Sequence, residues 1–291
     1  MTAHRKAYLA ILTTVLLWGS SFVAIRAALV DFGAGELALL RYLTASLVMI
    51  PVFFSIKNRP KLQIKHLPAI VLFGVIGIGL YNIALNLGEV TVLAGAASFI
   101  MSQIPTVTII FAVISLKERL TKASWLGIAI SIFGVLMISL GQMKIGSLNQ
   151  GVFLLIGATF CAGIYSGFQR LITPFYDSLQ LVALFIWFGT ASLLGYSYPM
   201  LNELVKASPS TIAWSLYLGV FPGAIGYLCW TYALKAIPAS KAASYLFSLP
   251  IIATFLGWII LGEVPLIMTI IGGAVAISGA FLVKIKPQKI L

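Results

Sequence analysis

Charge is what this sequence has least of. Only 9% of its 291 residues are Asp, Glu, Lys or Arg, while 60% are hydrophobic; a soluble globular chain carries about 25% charged residues. So few charges cannot cover a surface facing water, which excludes an ordinary soluble domain and points to a bilayer as the solvent. Acids are the scarcest: seven against nineteen Lys and Arg, for a net charge of +12. Asp31, Glu36, Glu89, Glu118, Asp177, Glu203 and Glu263 all read as lying near the ends of apolar segments. No acid or His sits at the middle of one, so the deep relay group that a proton-coupled carrier commonly uses is missing. A multidrug exporter should carry a deep Glu in its first span, and this span has none. The two cysteines, Cys161 and Cys229, fall inside apolar segments without disulfide or metal spacing. No cofactor or metal is expected. His4 and His66 read as surface residues of basic loops. No His-Glu-x-x-His motif, no paired acids in one span and no Gly-rich phosphate loop are present, which argues against an enzyme.

What is present is a series of apolar runs, each about 20 residues long and so long enough to span a bilayer. They read at 7–29, 35–56, 67–88, 92–116, 124–141, 150–172, 178–200, 211–236, 240–261 and 266–284. They are continuous rather than alternating, which favours helices over a β-barrel. The His4-Arg5-Lys6 start reads as the edge of a first span, not as a signal peptide. In a soluble chain the excess of base would suggest nucleic acid; here the basic residues sit between spans and follow the positive-inside rule. With the N-terminus inside, only Arg26, Arg41, Lys144 and Lys206 of the nineteen fall at outer ends. Both termini are therefore expected in the cytoplasm.

The chain repeats itself. Ala96, Ala97, Ser98 and Ser102 recur as Ala242, Ala243, Ser244 and Ser248; Pro105, Leu116, Glu118, Gly127 and Gly134 recur as Pro250, Leu261, Glu263, Gly272 and Gly279. Fainter echoes are Thr44-Ala45-Ser46-Leu47 with Thr190-Ala191-Ser192-Leu193, Ile25-Arg26 with Gln169-Arg170, and Ala84-Leu85 with Ala233-Leu234. Five spans per copy is an odd number, so the second copy must be inverted. The basic Lys117-Glu118-Arg119-Leu120-Thr121-Lys122 connection becomes the base-free Gly262-Glu263-Val264-Pro265, as inversion requires. The expectation is an all-α integral membrane protein: ten transmembrane helices in two inverted five-helix repeats, 1–145 and 146–291. Inverted repeats suit alternating access around a midplane site.

Several local features complete a pattern: Trp18-Gly19-Ser20-Ser21-Phe22, Arg41-Tyr42, Leu116-Lys117-Glu118-Arg119-Leu120 with Leu261-Gly262-Glu263, and the Gly127/Gly134 and Gly272/Gly279 pairs. With the repeated block, the whole chain resembles the drug/metabolite transporter superfamily in its EamA-like ten-helix branch. The resemblance implies a carrier of small metabolites, commonly an exporter in a bacterial inner membrane. It does not name the substrate.

Polar and amphipathic side chains inside spans are costly unless they face protein or water. The candidate substrate-binding residues are Trp18, Tyr81, Asn82, Met101, Ser102, Gln103, Tyr165, Gln169, Trp230, Tyr245 and Ser248. They come from the first, third and fourth span of each copy. Amides such as Asn82, Asn86, Gln103 and Gln169 are expensive against lipid and favour a pocket or polar network. Ser98, Ser102, Ser244 and Ser248 suit helix packing equally well, and the four glycines read as close-packing residues. Proline at 105 and 250 frees carbonyls a turn earlier, for a ligand or simply for a bend. Trp214 and Tyr217 read as membrane-interface residues. Arg41 reads as paired with Glu36, with an anionic substrate as the alternative. A neutral or zwitterionic solute such as an amino acid fits a pocket of aromatics and amides; a lipid-linked substrate or a drug are the alternatives. The partners expected are the solute and the bilayer, not nucleic acid, and a monomer rather than an obligate oligomer.

Overall fold

The computed structural model describes residues 3–57, 59–116, 120–142, 149–234, 242 and 245–283. Lys117, Glu118, Arg119, Lys144 and Ser244, singled out above, lie outside the described residues. Among the described residues the fold is helical, because a chain in lipid must satisfy its backbone within each segment. The elements are α1 (Ala3–Ala28), α2 (Ala34–Ser55), α3 (Leu67–Gly74), α4 (Tyr81–Glu89), α5 (Ala94–Met101), α6 (Ile104–Leu116) and α7 (Lys122–Gly141). There follow α8 (Gln150–Ile172), α9 (Ser178–Ser192), α10 (Ser197–Leu204), α11 (Pro209–Val220), α12 (Gly226–Leu234), α13 (Leu249–Leu261) and α14 (Ile267–Leu282).

Seven helical stretches are long and apolar enough to cross a membrane; an eighth is α9 with the segment after it, bent by 46°, and the stretches 246–261 and 267–282 are shorter. Every apolar run read from the sequence thus coincides with a helix or a broken helix. The breaks fall at definable places. Ser102 and Gln103 interrupt the α5–α6 rod just before Pro105, and a tight turn over Leu246–Ser248 precedes Pro250. These are the two prolines whose missing N–H was expected to disturb the helix. Two further breaks carry no proline rule in common. Val75–Leu80, between α3 and α4, and Phe221–Ile225, between α11 and α12, are wide π-type turns with N–H bonds five residues back.

The two halves of the chain exchange their first helices. α1 packs on α11, α12 and α13, whereas α8 packs on α4, α5 and α6. α2 and α9 meet between them, where Ser46 Oγ and Thr190 Oγ1 lie 2.9 Å apart. α7 and α14 form the most extensive helix contact. A Cβ on Gly127 would strike the Gly279 carbonyl, and one on Gly134 the Gly272 carbonyl and Ala276. Low numbers meet high, so α7 and α14 run antiparallel, and the glycines are the close-packing residues expected.

At the end where α1 begins, His66 Nδ1 lies 2.8 Å from the Tyr176 hydroxyl, and Gln180 Nε2 donates to the Pro60 carbonyl. His66 is half-buried against Phe175 and Tyr176, not a free surface residue, because the 173–176 turn folds over it.

Candidate functional site

Side chains of α1 tie down the π-type turn ahead of α12 and the first residue of α12 through their carbonyls. Trp18 Nε1 donates to Pro222 O at 3.2 Å and Thr14 Oγ1 to Gly226 O at 3.2 Å. Gly226 is needed there because a Cβ would meet the Trp18 indole at 2.6 Å. The Trp18 ring then lies 5.3 Å from Tyr227 and 5.6 Å from Trp230, so residues from both halves form one aromatic wall. The matching turn ahead of α4 places Tyr81 and Asn82. Asn82 bridges that turn itself, donating Nδ2 to Ile78 O at 2.8 Å. Gly77 leaves room for the Tyr165 ring of α8.

Arg41 of α2 enters this aromatic ground. It is buried, donates Nη1 to Asn82 Oδ1 at 3.1 Å, and sits 5.3 Å from the Tyr42 ring centroid. Its Nε and the Tyr42 hydroxyl are buried without a partner. Tyr227 lies within electrostatic range of Tyr42, Tyr165, Tyr81 and Arg41. A guanidinium, four phenols and two indoles are thereby gathered from α1, α2, α4, α8 and α12. The pairing of Arg41 with Glu36 does not form. Asn82 holds the guanidinium inward, and among the described residues no carboxylate reaches it at ion-pair distance.

Trp18, Tyr81, Asn82, Tyr165 and Trp230 of the sequence-based set come together here. The others are elsewhere. Met101, Ser102 and Gln103 are buried at the α5–α6 break, where Met101 Sδ accepts from Thr159 Oγ1 at 3.3 Å and Ser102 donates to Phe99 O at 2.6 Å. Gln103 turns to Ser102 and Thr106. Gln169 is half-buried toward the end of α8. Tyr245 is partly exposed and packs edge-on against Tyr8; Ser248 donates back to Tyr245 O within its own turn. The half-buried Tyr217 has its hydroxyl 2.6 Å from Ser20 Oγ of α1. Sequence reasoning gave Tyr227 no special weight, although it stands 146 residues after Tyr81.

The end away from the termini carries a second polar constellation. Arg26 Nε contacts Glu263 Oε1 at 2.7 Å, and Arg26 Nη1 reaches the carbonyls of Glu89 and Val90. Glu263 Oε2 accepts from Ala94 N at 2.8 Å. Gly262, in the left-handed conformation at φ 68°, turns the chain that presents Glu263. Asn86 donates to Ala34 O. Glu89 is fully buried, and neither carboxylate oxygen has a partner. Its place near a span end carries no sign of that burial.

Helices of this length and hydropathy, packed around a polar centre built from both halves, define a multi-pass membrane protein. A family model for the EamA-like transporter family matches the chain twice, over residues 5–140 and 149–285. The chain belongs to the EamA-like transporter family, and it is a transporter rather than an enzyme. It is 32% identical to the "Uncharacterized transporter YdfC" of Bacillus subtilis (strain 168), over 94% of this chain and 89% of the relative. It is 31% identical to a "Probable terminal-alkyne amino-acid exporter" of Streptantibioticus cattleyicolor, over 96% and 93% of the two chains. A crystal structure with 17% identity superposes with a TM-score of 0.63 over 96% of both chains, which shows the fold alone.

Proposed function

We propose that the protein is an alternating-access carrier that exports or exchanges small neutral or zwitterionic metabolites, amino acids first, across the cell inner membrane. The reading takes the ten helical stretches as spans, in two five-helix copies of opposite orientation, 1–145 and 146–291, with both termini cytoplasmic. The antiparallel α7–α14 contact supports inversion, as does the exchange of first helices between halves. The paired turns at Val75–Leu80 and Phe221–Ile225 support it further. The distribution of Lys and Arg supports the sidedness.

The observation that carries the substrate class is Arg41: a buried cation with no carboxylate beside it, an unpartnered Nε and an unpartnered phenol next to it. A substrate carboxylate meets both groups, as guanidinium geometry favours. The aromatic wall of Trp18, Tyr227 and Trp230 takes the remainder of the solute, and the α-ammonium finds aromatic faces. The printed name of the Streptantibioticus cattleyicolor relative points the same way. A lipid-linked substrate finds less support. A cavity of about 340 Å³ is lined by Ala10, Leu179, Leu228, Cys229 and Tyr232, none of them a base to hold a phosphate. The carrier acts as a monomer on a solute in the bilayer, without cofactor or nucleic acid.

The test is counterflow in proteoliposomes with pooled amino acids, nucleosides and sugars. Saturable counterflow of amino acids, lost when the carboxylate is replaced by an amide, is the expected result. Counterflow of sugars or nucleosides alone overturns the substrate class, and no counterflow of any water-soluble solute overturns the reading in favour of a lipid.

A further inference from the structure

The constellation at Arg26 holds two acids and treats them differently. Arg26, Glu89 and Ala94 belong to the first half of the chain; Glu263 is the second half's contribution. Glu263 binds the guanidinium with one oxygen and the Ala94 N–H with the other, so one side chain ties the halves at this end. Glu89 touches the same guanidinium only through its backbone carbonyl, at 2.5 Å. Its carboxylate is fully buried with both oxygens unpartnered, within electrostatic range of Arg26. A buried carboxylate without a partner is costly, and in the closed arrangement only the attraction of Arg26 and Arg41 at longer range offsets part of that cost.

A rearrangement offsets more of it. Movement of the 262–266 turn away from the end of α1 withdraws Glu263 from Arg26 and leaves the guanidinium beside Glu89, whose backbone carbonyl it already touches. We propose that Arg26 and Glu89 form a two-position switch: the guanidinium pairs with Glu263 when this end of the carrier is closed and with the Glu89 carboxylate when it is open. The unpaired Glu89 offsets part of the Arg26–Glu263 attraction in the closed form, and its pairing stabilises the open form. Both arrangements keep the cation paired, which brings the two states close enough in free energy to interconvert. Besides Arg26 and Glu263, Arg41 and the Tyr81 phenol lie within electrostatic range of Glu89, Arg41 is held by Asn82, and Glu36 stands in the first turn of α2, where Asn86 meets Ala34 O. This switch rests on the alternating-access reading, but its test needs no substrate.

Behind the clasp lies a cavity of about 10 Å³, room for about one water, lined by Gly95, Thr254 and Glu263 among others. The reporter is Thr254→Cys in a Cys161→Ser, Cys229→Ser background, labelled with a membrane-impermeant maleimide in right-side-out vesicles. Glu263→Gln removes the closed pairing and raises the labelling rate at least threefold. Glu89→Gln removes the open pairing and lowers it at least threefold. Glu89→Asp, a check that does not remove the charge, stays between parent and Glu89→Gln. In an Arg26→Gln background, Glu89→Gln has no further effect. A Glu89→Gln rate equal to or above the parent overturns the switch, as does an undiminished Glu89→Gln effect without Arg26. The same ordering read only from inside-out vesicles keeps the switch and overturns the sidedness of the carrier.

Discussion

The third span of each half is the same piece of backbone with different chemistry on it. In the first, a π-type turn over Val75–Leu80 leads into Tyr81; in the second, one over Phe221–Ile225 leads toward Tyr227, 146 residues later. Gly77 matches Gly223 at the same spacing. Beyond the tyrosines the copies diverge. Asn82, Asn86 and Glu89 of the first copy correspond in sequence to Leu228, Tyr232 and Lys235 of the second; Arg41-Tyr42 becomes Trp187-Phe188. Even the turn is bridged differently, by Asn82 of the same helix in one copy and by Trp18 of α1 in the other. The duplicated part is the scaffold; the polar chemistry is concentrated in the first copy, and the aromatic wall comes mainly from the second.

The largest effect follows from breaking that asymmetry at its centre. Arg41→Gln removes the cation and lowers kcat/KM for amino-acid counterflow at least 100-fold, about 2.7 kcal/mol at 1.36 kcal/mol per tenfold. The matching change in the second copy, Trp187→Phe, loses one hydrogen bond to Ser46 O and leaves transport within about threefold. Equal losses at the two positions contradict the division of labour.

The scaffold should respond symmetrically. Gly134→Ala and Gly272→Ala each drive a methyl into the backbone of the facing helix. Each destabilises the protein by about 1–3 kcal/mol, the usual range for overpacking. Thermal unfolding in detergent checks this, and the two shifts should agree. A large shift at one glycine and none at the other breaks the symmetry of the α7–α14 contact.

The paired tyrosines sharpen the comparison further. Tyr81→Phe and Tyr227→Phe each remove one phenol from the group around Arg41. Each raises KM about three- to tenfold, near the worth of one hydrogen bond, with kcat little changed. Tyr227→Phe alone also leaves the Trp18 contact intact, since edge-on ring packing does not need the hydroxyl.

Much of this was readable in advance, and the reasons differ by element. Apolar length gave the ten helical stretches, and the prolines gave the breaks at Ser102 and Ser248. The π-type turns were not legible, because a bond five residues back has no sequence signature of its own. Arg41 was matched to Glu36 by nearness in sequence; the third span, one turn of which brings Asn82 against α2, decided otherwise. The repeat sets Ser248 opposite Ser102, and in its short turn the Ser248 hydroxyl donates to Tyr245 O. Glu89 stands near a span end, and its neighbours in the chain do not mark it as fully buried.

The smallest effect concerns a pair of aspartates at the 146-residue spacing. Asp177 caps its own helix, accepting from Leu179 N and Gln180 N. Asp31 leaves its own helix uncapped and crosses to the other half, accepting from Ser208 N at 2.9 Å. The Gly33 N–H at the start of α2 goes instead to Glu203 of that half. The Ser208 N–H, with the Thr211 and Ser208 hydroxyls, holds the Asp31 carboxyl below its ordinary value. A carboxylate lowered on folding contributes stability above its unfolded pKa of about 3.9, and that contribution disappears as pH falls through the lower folded value. Because Asp31 is exposed, solvent screens the effect. Asp31→Asn should therefore flatten the pH dependence of thermal stability below about pH 4 and change little at pH 7. Asp177→Asn keeps a side-chain acceptor for its cap. A change at pH 7 as large for Asp31 as for the buried groups would mean that the contact between halves carries more of the fold than its exposure allows.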